Sequence, residues 1–505
     1  MVWNEGYVAE IKYTYGFYGE LSPLKLALAS VIKSIQAPNL NQIFNYCELG
    51  CGRGYTTNLL ASAYPHAQFY ANDFNPSHIL EAKTLAEMAN TKNVHFFDDS
   101  FAEFINQDLP HFDFIVLHGI YSWISKENRQ AIINFIRQKL KVGGLVYVSY
   151  NTLPGWSAVM PMQGLMLRHQ KRSSLPILEA IEEALNFTEQ LLEANATYFV
   201  QNPVIKSRYE QLKQQNRHYL AHEYFNEEWN SFYFDEVAQE LNEAKLNFVG
   251  SAHILDYIDI LNLSTTAQTQ LNNIKDPIYK EVVRDFFLNT QFRRDIFARG
   301  LLSLSAIDQT QIIQNIRYAL IVHPNTIKLN HTFAVGDVTL QAEVYEPICH
   351  LLAKSPLTMK ELHDHPTVNH ITLNNLFQAL MVLTGIGYIH PAVDDETYQK
   401  RKKSTDAFNY AVIQRASITD EMGYLASPLI GTGVAVTVIE QLLLLAKSKN
   451  QDGVKFVWQL LFSQNKKLIK DNKTLETPEE NIAHIESLAK DFYDDRFPTL
   501  QKLGI

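Results

Sequence analysis

Between about residues 43 and 151, short runs of β-branched and aromatic residues alternate with longer stretches whose apolar positions recur at helical spacing. That alternation predicts a parallel sheet with helices on both faces. Five strands are expected, at Ile43–Leu49, Gln68–Asp73, Val94–Asp98, Phe112–Leu117 and Leu145–Tyr150, with helices over 55–63, 76–89 and 126–140. The last helix should stop at Val142-Gly-Gly144, where glycine is free to take a positive φ. Beyond Pro154-Gly-Trp156 the pattern changes to long helices with Glu, Gln, Asn and Lys on their wet faces, running to about residue 215. A mixed region follows to about 305, in which Leu246–Gly250 is expected to return to the sheet as a strand. From about 340, short helices, the apolar stretch Leu373–Thr384 and Gly385-Ile-Gly-Tyr-Ile-His390 together have the shape of a winged helix. Three domains are therefore expected, over 1–165, 166–330 and 331–505.

Composition narrows the class. A chain of 505 residues with 46% hydrophobic content buries more than one core. Its most apolar stretch, Gly433–Ala446, is interrupted by Glu440 and Gln441 and falls short of the roughly 20 residues a spanning helix needs, so it reads as a buried helix. The opening Met1–Gly6 is polar and acidic, so no secretory leader and a cytoplasmic location are expected. Cys47, Cys51 and Cys349 form no CxxC pair, which argues against a disulfide framework or a thiolate zinc site. No metal is expected: His363, His365 and His370 match no standard ligand spacing, and His222-Glu-Tyr-Phe-Asn226 lacks the second histidine of a zinc-protease motif. A net charge of −10, and the absence of Lys or Arg between Lys360 and Lys400, argue against a nucleic-acid partner.

The chemistry concentrates at the strand ends. The first strand runs into Glu48-Leu-Gly-Cys-Gly-Arg-Gly54 and then a helix, so Gly50, Gly52 and Gly54 lie where the backbone must turn tightly and approach a ligand. No Lys-Ser/Thr pair follows, so this is not a phosphate loop. It suits a nucleoside with a cationic amino-acid tail, toward which Glu48 supplies charge. Asp73, with Phe74 beside it, ends the second strand, where a carboxylate accepts hydrogen bonds from both ribose hydroxyls. A glycine loop by itself is equally a tight turn; Asp73 and Asp98-Asp-Ser100 at successive strand ends make it a ligand site. Asp99 and Ser100 are expected at the adenine amino group and ring nitrogens, and Phe101 against the purine face. The fourth strand ends in Leu117-His-Gly-Ile-Tyr-Ser-Trp123, placing His118, Tyr121 and Trp123 at the same edge. Tyr7, Tyr13, Tyr15, Phe17, Tyr18 and Glu20 crowd the N-terminus, as an aromatic lid over the ligand or as a helix packed on the domain.

Taken together, Tyr13-Thr-Tyr-Gly-Phe-Tyr-Gly-Glu-Leu-Ser-Pro23, the glycine loop, Asp73-Phe-Asn-Pro76, Leu117–Ile124 and Ser149-Tyr-Asn-Thr-Leu-Pro-Gly-Trp156 resemble class I methyltransferases that carry a methyltransferase regulatory domain. The regulatory part is similar at His222-Glu-Tyr-Phe225, Phe248-Val-Gly-Ser-Ala252 and Gln291–Phe297. That family includes rickettsial protein lysine methyltransferases acting on outer-membrane proteins. The resemblance implies an α/β, Rossmann-like class I sheet, a mostly helical middle domain and a winged-helix-like C-terminal domain, with S-adenosylmethionine as cofactor. It implies Glu48, Gly50, Cys51, Gly52 and Gly54 at the amino-acid tail, Asp73 and Phe74 at the ribose, Asp99, Ser100 and Phe101 at the adenine, and the methyl group facing His118, Tyr121 and Trp123. The acceptor it implies is a lysine of a protein substrate, held in a cage of Tyr15, Tyr18 and Tyr121 with His118 as proton acceptor; a second copy of the chain is the other partner expected. A small-molecule methyltransferase and a non-catalytic S-adenosylmethionine-binding module remain as alternatives. A DNA or RNA methyltransferase ranks last, because no Asn-Pro-Pro-Tyr-type motif follows the fourth strand.

Overall fold

The computed structural model describes residues 15–471 and 473–505. The alternation in the first part becomes five parallel strands, β1 (Asn45–Leu49), β2 (Gln68–Asn72), β3 (Val94–Phe97), β4 (Phe112–Leu117) and β5 (Leu140–Asn151). Helix α1 (Pro23–Ile32) precedes them, and α2 (Tyr55–Ala63), α3 (Pro76–Met88), α4 (Phe101–Phe104) and α5 (Lys126–Lys139) connect them. Strands β4 and β5 are buried along most of their length, as expected where helices cover both faces. Capping sets the helix starts: the Asn75 side chain accepts from the Ser77 amide ahead of Pro76, and the Ser125 hydroxyl accepts from the Asn128 amide. Strand β5 begins at Leu140, directly after α5, so Val142-Gly-Gly144 lies inside the strand rather than ending the helix. There the β4–β5 register shifts between Phe112 and Phe114, and Gly143 takes φ +82°.

The sheet continues beyond the first domain. Its order is β3-β2-β1-β4-β5-β7-β6, with β6 (Leu246–Ser251) and β7 (Phe292–Arg299) returning from the middle of the chain and β7 antiparallel to both neighbours. Hydropathy does not reveal β7, because Phe292-Arg-Arg-Asp295 is charged; its Arg293 is buried between Asp285, Asp295 and Glu281. Between β5 and β6 stands a helical insert of α6 (Met160–Gln170), α7 (Ile177–Glu193), α8 (Thr197–Gln201), α9 (Val204–Lys213) and α10 (Arg217–Tyr224), with its own core around Met162, Ile181, Tyr209 and Leu220. Helix α11 (Phe234–Asn242) then covers the sheet.

Residues 317–392 form a three-stranded antiparallel sheet with three helices, the last being Leu373–Gly385. The uncharged face of that helix is buried at Leu376, Leu380 and Leu383, in a core that also takes Leu28 and Val31 of α1. The remaining residues are not a free appendage. Helix Asp395–Arg415 lies along α2, and the two share one core with the main sheet. Covered on both sides, α2 is buried at every one of its 9 residues. The apolar stretch Gly433–Ala446 proves to be two elements: strand Thr432–Ala435 and helix Val438–Ser448, started by a capping box of Thr437 and Glu440. Among the described residues, no helix is long and apolar enough to cross a membrane.

Candidate functional site

One cleft of about 1270 Å³, counted to its open mouth, runs along the carboxyl ends of β1 to β4. Open α/β sheets bind ligands at this edge. The cleft is lined by Tyr15, Tyr18, Glu48, Gly50, Cys51, Gly52, Asp73, Phe74, Asp99, Ser100, Phe101, His118 and Trp123, so those expected residues share one surface. Gly54 and Tyr121 do not line it. Tyr7 and Tyr13 lie outside the described residues.

The glycine loop leaves β1 with positive φ at Gly50 (+69°), Gly52 (+53°) and Gly54 (+67°), a backbone path that costs other residues roughly 1–2 kcal/mol each. A Cβ on Gly50 would stand 2.4 Å from Ile120 Cδ1, so the loop is pressed against the segment after β4. Gly54 has a different role from the one expected. It caps α2, and a Cβ there would meet Ala82 at 2.5 Å and Phe96 at 2.8 Å, so its smallness lets helix and sheet close up beside the loop. Asp73 fixes the loop from the next strand: its carboxylate accepts from the Gly52 amide (2.9 Å), the Asn75 amide (3.0 Å) and His78 Nδ1 (3.1 Å). Any ribose hydroxyl must share the lone pairs left over.

Glu48 is 4% exposed at the end of β1, takes a short hydrogen bond from the Thr57 hydroxyl and has no cationic partner among the described residues. Burial pushes its carboxyl up to about 7. Asp99 accepts from Gln107 at 2.9 Å, and Ser100 caps α4 through a box with Glu103. Asn72 and His78 also line the cleft and were not expected there. The Asn72 amide donates to the Asp99 carbonyl while its Oδ1, buried in the cleft wall, has no partner among the described residues. In sequence, Asn72 is simply the last residue of a strand.

At the β4 end, His118 stacks under Tyr18 with ring centroids 3.9 Å apart, and its Nδ1 is 2.8 Å from the Tyr147 hydroxyl. Burial lowers its pKa to about 4, against the opposing pull of Glu20. A neutral imidazole of that basicity is a hydrogen-bonding wall and a poor proton acceptor at neutral pH. Two members of the expected aromatic cage are differently employed. Tyr121 is fully buried between Tyr150 and Phe232, with its hydroxyl on Glu240, because α11 packs there and draws the ring into the core. Tyr15 reaches the cleft, but the Arg53 guanidinium lies 3.3 Å over its ring and its hydroxyl donates to Glu81 at 2.8 Å, so a cation already occupies its face. Trp123 packs edge-on against Trp229 of the segment that follows the insert.

Helix α10 reaches over the same cleft with His222 and Glu223. Burial raises the Glu223 carboxyl to about 7. That these residues share a cleft with the glycine loop cannot be read from a stretch some 170 positions away whose spacing fits no metal motif.

Comparison with known proteins places the family described as methyltransferase domain on residues 47–146 and the family described as predicted methyltransferase regulatory domain on residues 216–299. An uncharacterized protein of Synechocystis sp. is 66% identical over 505 residues, the full length of both chains. An uncharacterized protein of Rickettsia prowazekii is 29% identical over 299 residues, 59% of this chain and 53% of that one. Among solved structures, PKMT2 from Rickettsia typhi in complex with AdoHcy superposes with a TM-score of 0.70 at 20% identity, covering 98% of this chain and 100% of that one.

Proposed function

Because this chain is a methyltransferase that carries a methyltransferase regulatory domain and belongs to one family with the Synechocystis protein, we propose that it transfers methyl groups from S-adenosylmethionine to lysine side chains of a protein acceptor. The observation that carries this reading is the cleft at the carboxyl edge of the sheet, which brings cofactor-type residues together with the aromatic residues Tyr18 and Trp123 and with α10 of the insert. The donor set fits S-adenosylmethionine. A desolvated Glu48 carboxyl with no counter-ion among the described residues suits the cationic amino-acid tail, the N-terminus of α2 suits its carboxylate, and Asp73 suits the ribose. Asp99, Ser100 and the orphan Asn72 Oδ1 are of the right chemistry for the adenine. When bound, S-adenosylmethionine supplies an electrophilic methyl carbon on a sulfonium.

The chain's own residues orient and desolvate. Holding an amine in line with the methyl group supplies much of the rate. Tyr18, stacked on His118, and Trp123 line the acceptor end with aromatic faces that attract a cation until it gives up its proton. An outer-membrane or other surface protein is the acceptor class that the sequence resemblance implies, and the likeness in fold to PKMT2 extends along the whole chain rather than the cofactor domain alone. The test is release of S-adenosylhomocysteine when the purified protein receives extract of its own cells, split by gel filtration into macromolecules and small molecules. Release with the macromolecular fraction supports a protein acceptor. Release with the small-molecule fraction alone contradicts it.

A further inference from the structure

The sheet supplies no base at the acceptor end of the cleft. His118 is stacked under Tyr18, bonded to Tyr147 and too weakly basic, and the Tyr121 hydroxyl is turned into the core on Glu240. An acceptor lysine arrives as an ammonium, with a usual pKa of about 10.4, and cannot attack carbon until it loses a proton. The carboxylate that meets this need comes from outside the sheet. Glu223 stands on α10, in the last turn before Tyr224, and lines the cleft together with Tyr18, His118 and Trp123. Helix α10 is anchored to the insert: Leu220, Ala221 and Tyr224 are buried in its core, Gln163 donates to the Tyr224 carbonyl at 2.8 Å, and Trp229 Nε1 donates to the Glu223 carbonyl at 3.0 Å. Among the described residues the Glu223 carboxylate has no salt bridge. The titratable groups around it are Tyr219, His222 and Tyr224 on its own helix, Arg208 of α9, which is spent on the Tyr224 hydroxyl at 2.8 Å, and Tyr18 and His118 in the lining of the same cleft.

We propose that Glu223 is the base that accepts the proton of the acceptor's ammonium group, so that the inserted helix α10 contributes a catalytic residue to a cleft otherwise built by the sheet. This rests on the reading of the acceptor as a lysine. In a desolvated site an ammonium–carboxylate pair is costly and the neutral amine–carboxylic acid pair is favoured relative to it, which eases the transfer. One proton passes from nitrogen to the Glu223 carboxylate. The freed lone pair then forms the N–C bond to the methyl carbon as the C–S bond breaks and its electrons remain on sulfur. The products are a methylated ammonium, S-adenosylhomocysteine and a protonated Glu223, which returns its proton to water at the cleft mouth. The elevated carboxyl pKa suits the task, since a base poised near neutrality is ionised at working pH and stronger than an ordinary carboxylate.

The experiment compares wild-type protein with E223Q, using the gel-filtered protein fraction as acceptor and amino-acid analysis of the labelled product. E223Q should bind S-adenosylhomocysteine within about twofold of wild type by calorimetry, while kcat falls roughly 100-fold with little change in KM. The wild-type kcat should rise with pH and level off above about 7. In E223Q that limb disappears and the rate climbs toward the amine's own pKa of about 10.4, so the deficit shrinks as pH rises. A wild-type pH profile in E223Q, with label on lysine, overturns the role of Glu223 and leaves the lysine reading standing. Label on an oxygen overturns both. A second readout needs neither acceptor nor turnover: in protein enriched with ¹³C at Glu carboxyls, the resonance lost in E223Q should titrate near 7 in the wild type, and a midpoint near 4.3 overturns the proposal. Should E223Q fail to bind S-adenosylhomocysteine, E223D, which keeps the carboxylate, must retain the wild-type limb at reduced kcat.

Discussion

Glu48 turns burial into pH dependence. In the free protein its carboxyl is raised to about 7 by desolvation, and a cationic ligand tail favours the ionised form. Affinity for S-adenosylhomocysteine should therefore rise as pH increases through about 7, where the carboxyl ionises while the ligand's ammonium is still charged. E48Q should remove the rising limb and weaken binding about tenfold at neutral pH, as calorimetry across that range would read; an unchanged profile contradicts the placement of the tail. Asp73 bonds the loop amide of Gly52 as well as lining the cleft, so D73A should weaken binding by about 1.5–3 kcal/mol and also lower the melting temperature of the free protein. Loss of affinity with an unaltered melting temperature would mean that the bond to Gly52 does not hold the loop. Glu48, Gly50, Gly52, Asp73 and Asp99 were legible in the sequence because each ends a strand or a turn whose geometry limits the choice of residue. Tyr121 was misread for the same reason that it is buried. An aromatic after a strand end serves a cleft or a core equally well, and only α11, more than a hundred residues later, decides between them.

At the scale of elements, β1 to β4 and α2, α3 and α5 follow the period of the hydrophobic pattern to within a few residues. Strand β7 does not, since its first half is charged and enters the interior through a buried ion network, with the apolar Ile296-Phe-Ala298 only in its second half. Arg293 joins Asp285 at 2.9 Å, Asp295 at 2.8 Å and Glu281 at 3.0 Å, and Tyr150 of β5 donates to Asp295 at 2.6 Å. Removing the guanidinium leaves carboxylates buried without compensation, so R293A should destabilise the protein by about 3–5 kcal/mol in denaturant titration. A change below about 1 kcal/mol would show that β7 is held by its neighbours alone. Helix α10 illustrates the other limit of legibility. The expected helices stop near residue 215, and nothing in Arg217–Tyr224 says that its last turn lines the cleft, because that approach is made by the packing of five helices.

Across the whole molecule, the expected division into a cofactor domain, a middle domain and a C-terminal domain understates how the parts interlock. The sheet takes its last two strands from the middle segment, and the C-terminal residues complete the cover of α2. They also reach the cofactor loop itself: Arg53 pairs with Glu421 at 2.7 Å, Tyr55 exchanges hydrogen bonds with the Tyr424 backbone, and Phe17 packs on Tyr424 with centroids 4.6 Å apart. A chain ending at Asp394 should therefore lose S-adenosylhomocysteine binding together with its thermal transition. A soluble truncation that bound with wild-type affinity would contradict this interlocking. The proposed activity is delivery of a methyl group by the cleft to nitrogen of a protein side chain. The measurement that tests it most directly is incubation with methyl-labelled S-adenosylmethionine and envelope protein from the same cells, followed by mass-spectrometric location of the label. Label on lysine Nε is the predicted result; label confined to small molecules, or no S-adenosylhomocysteine formed with any fraction, would contradict it.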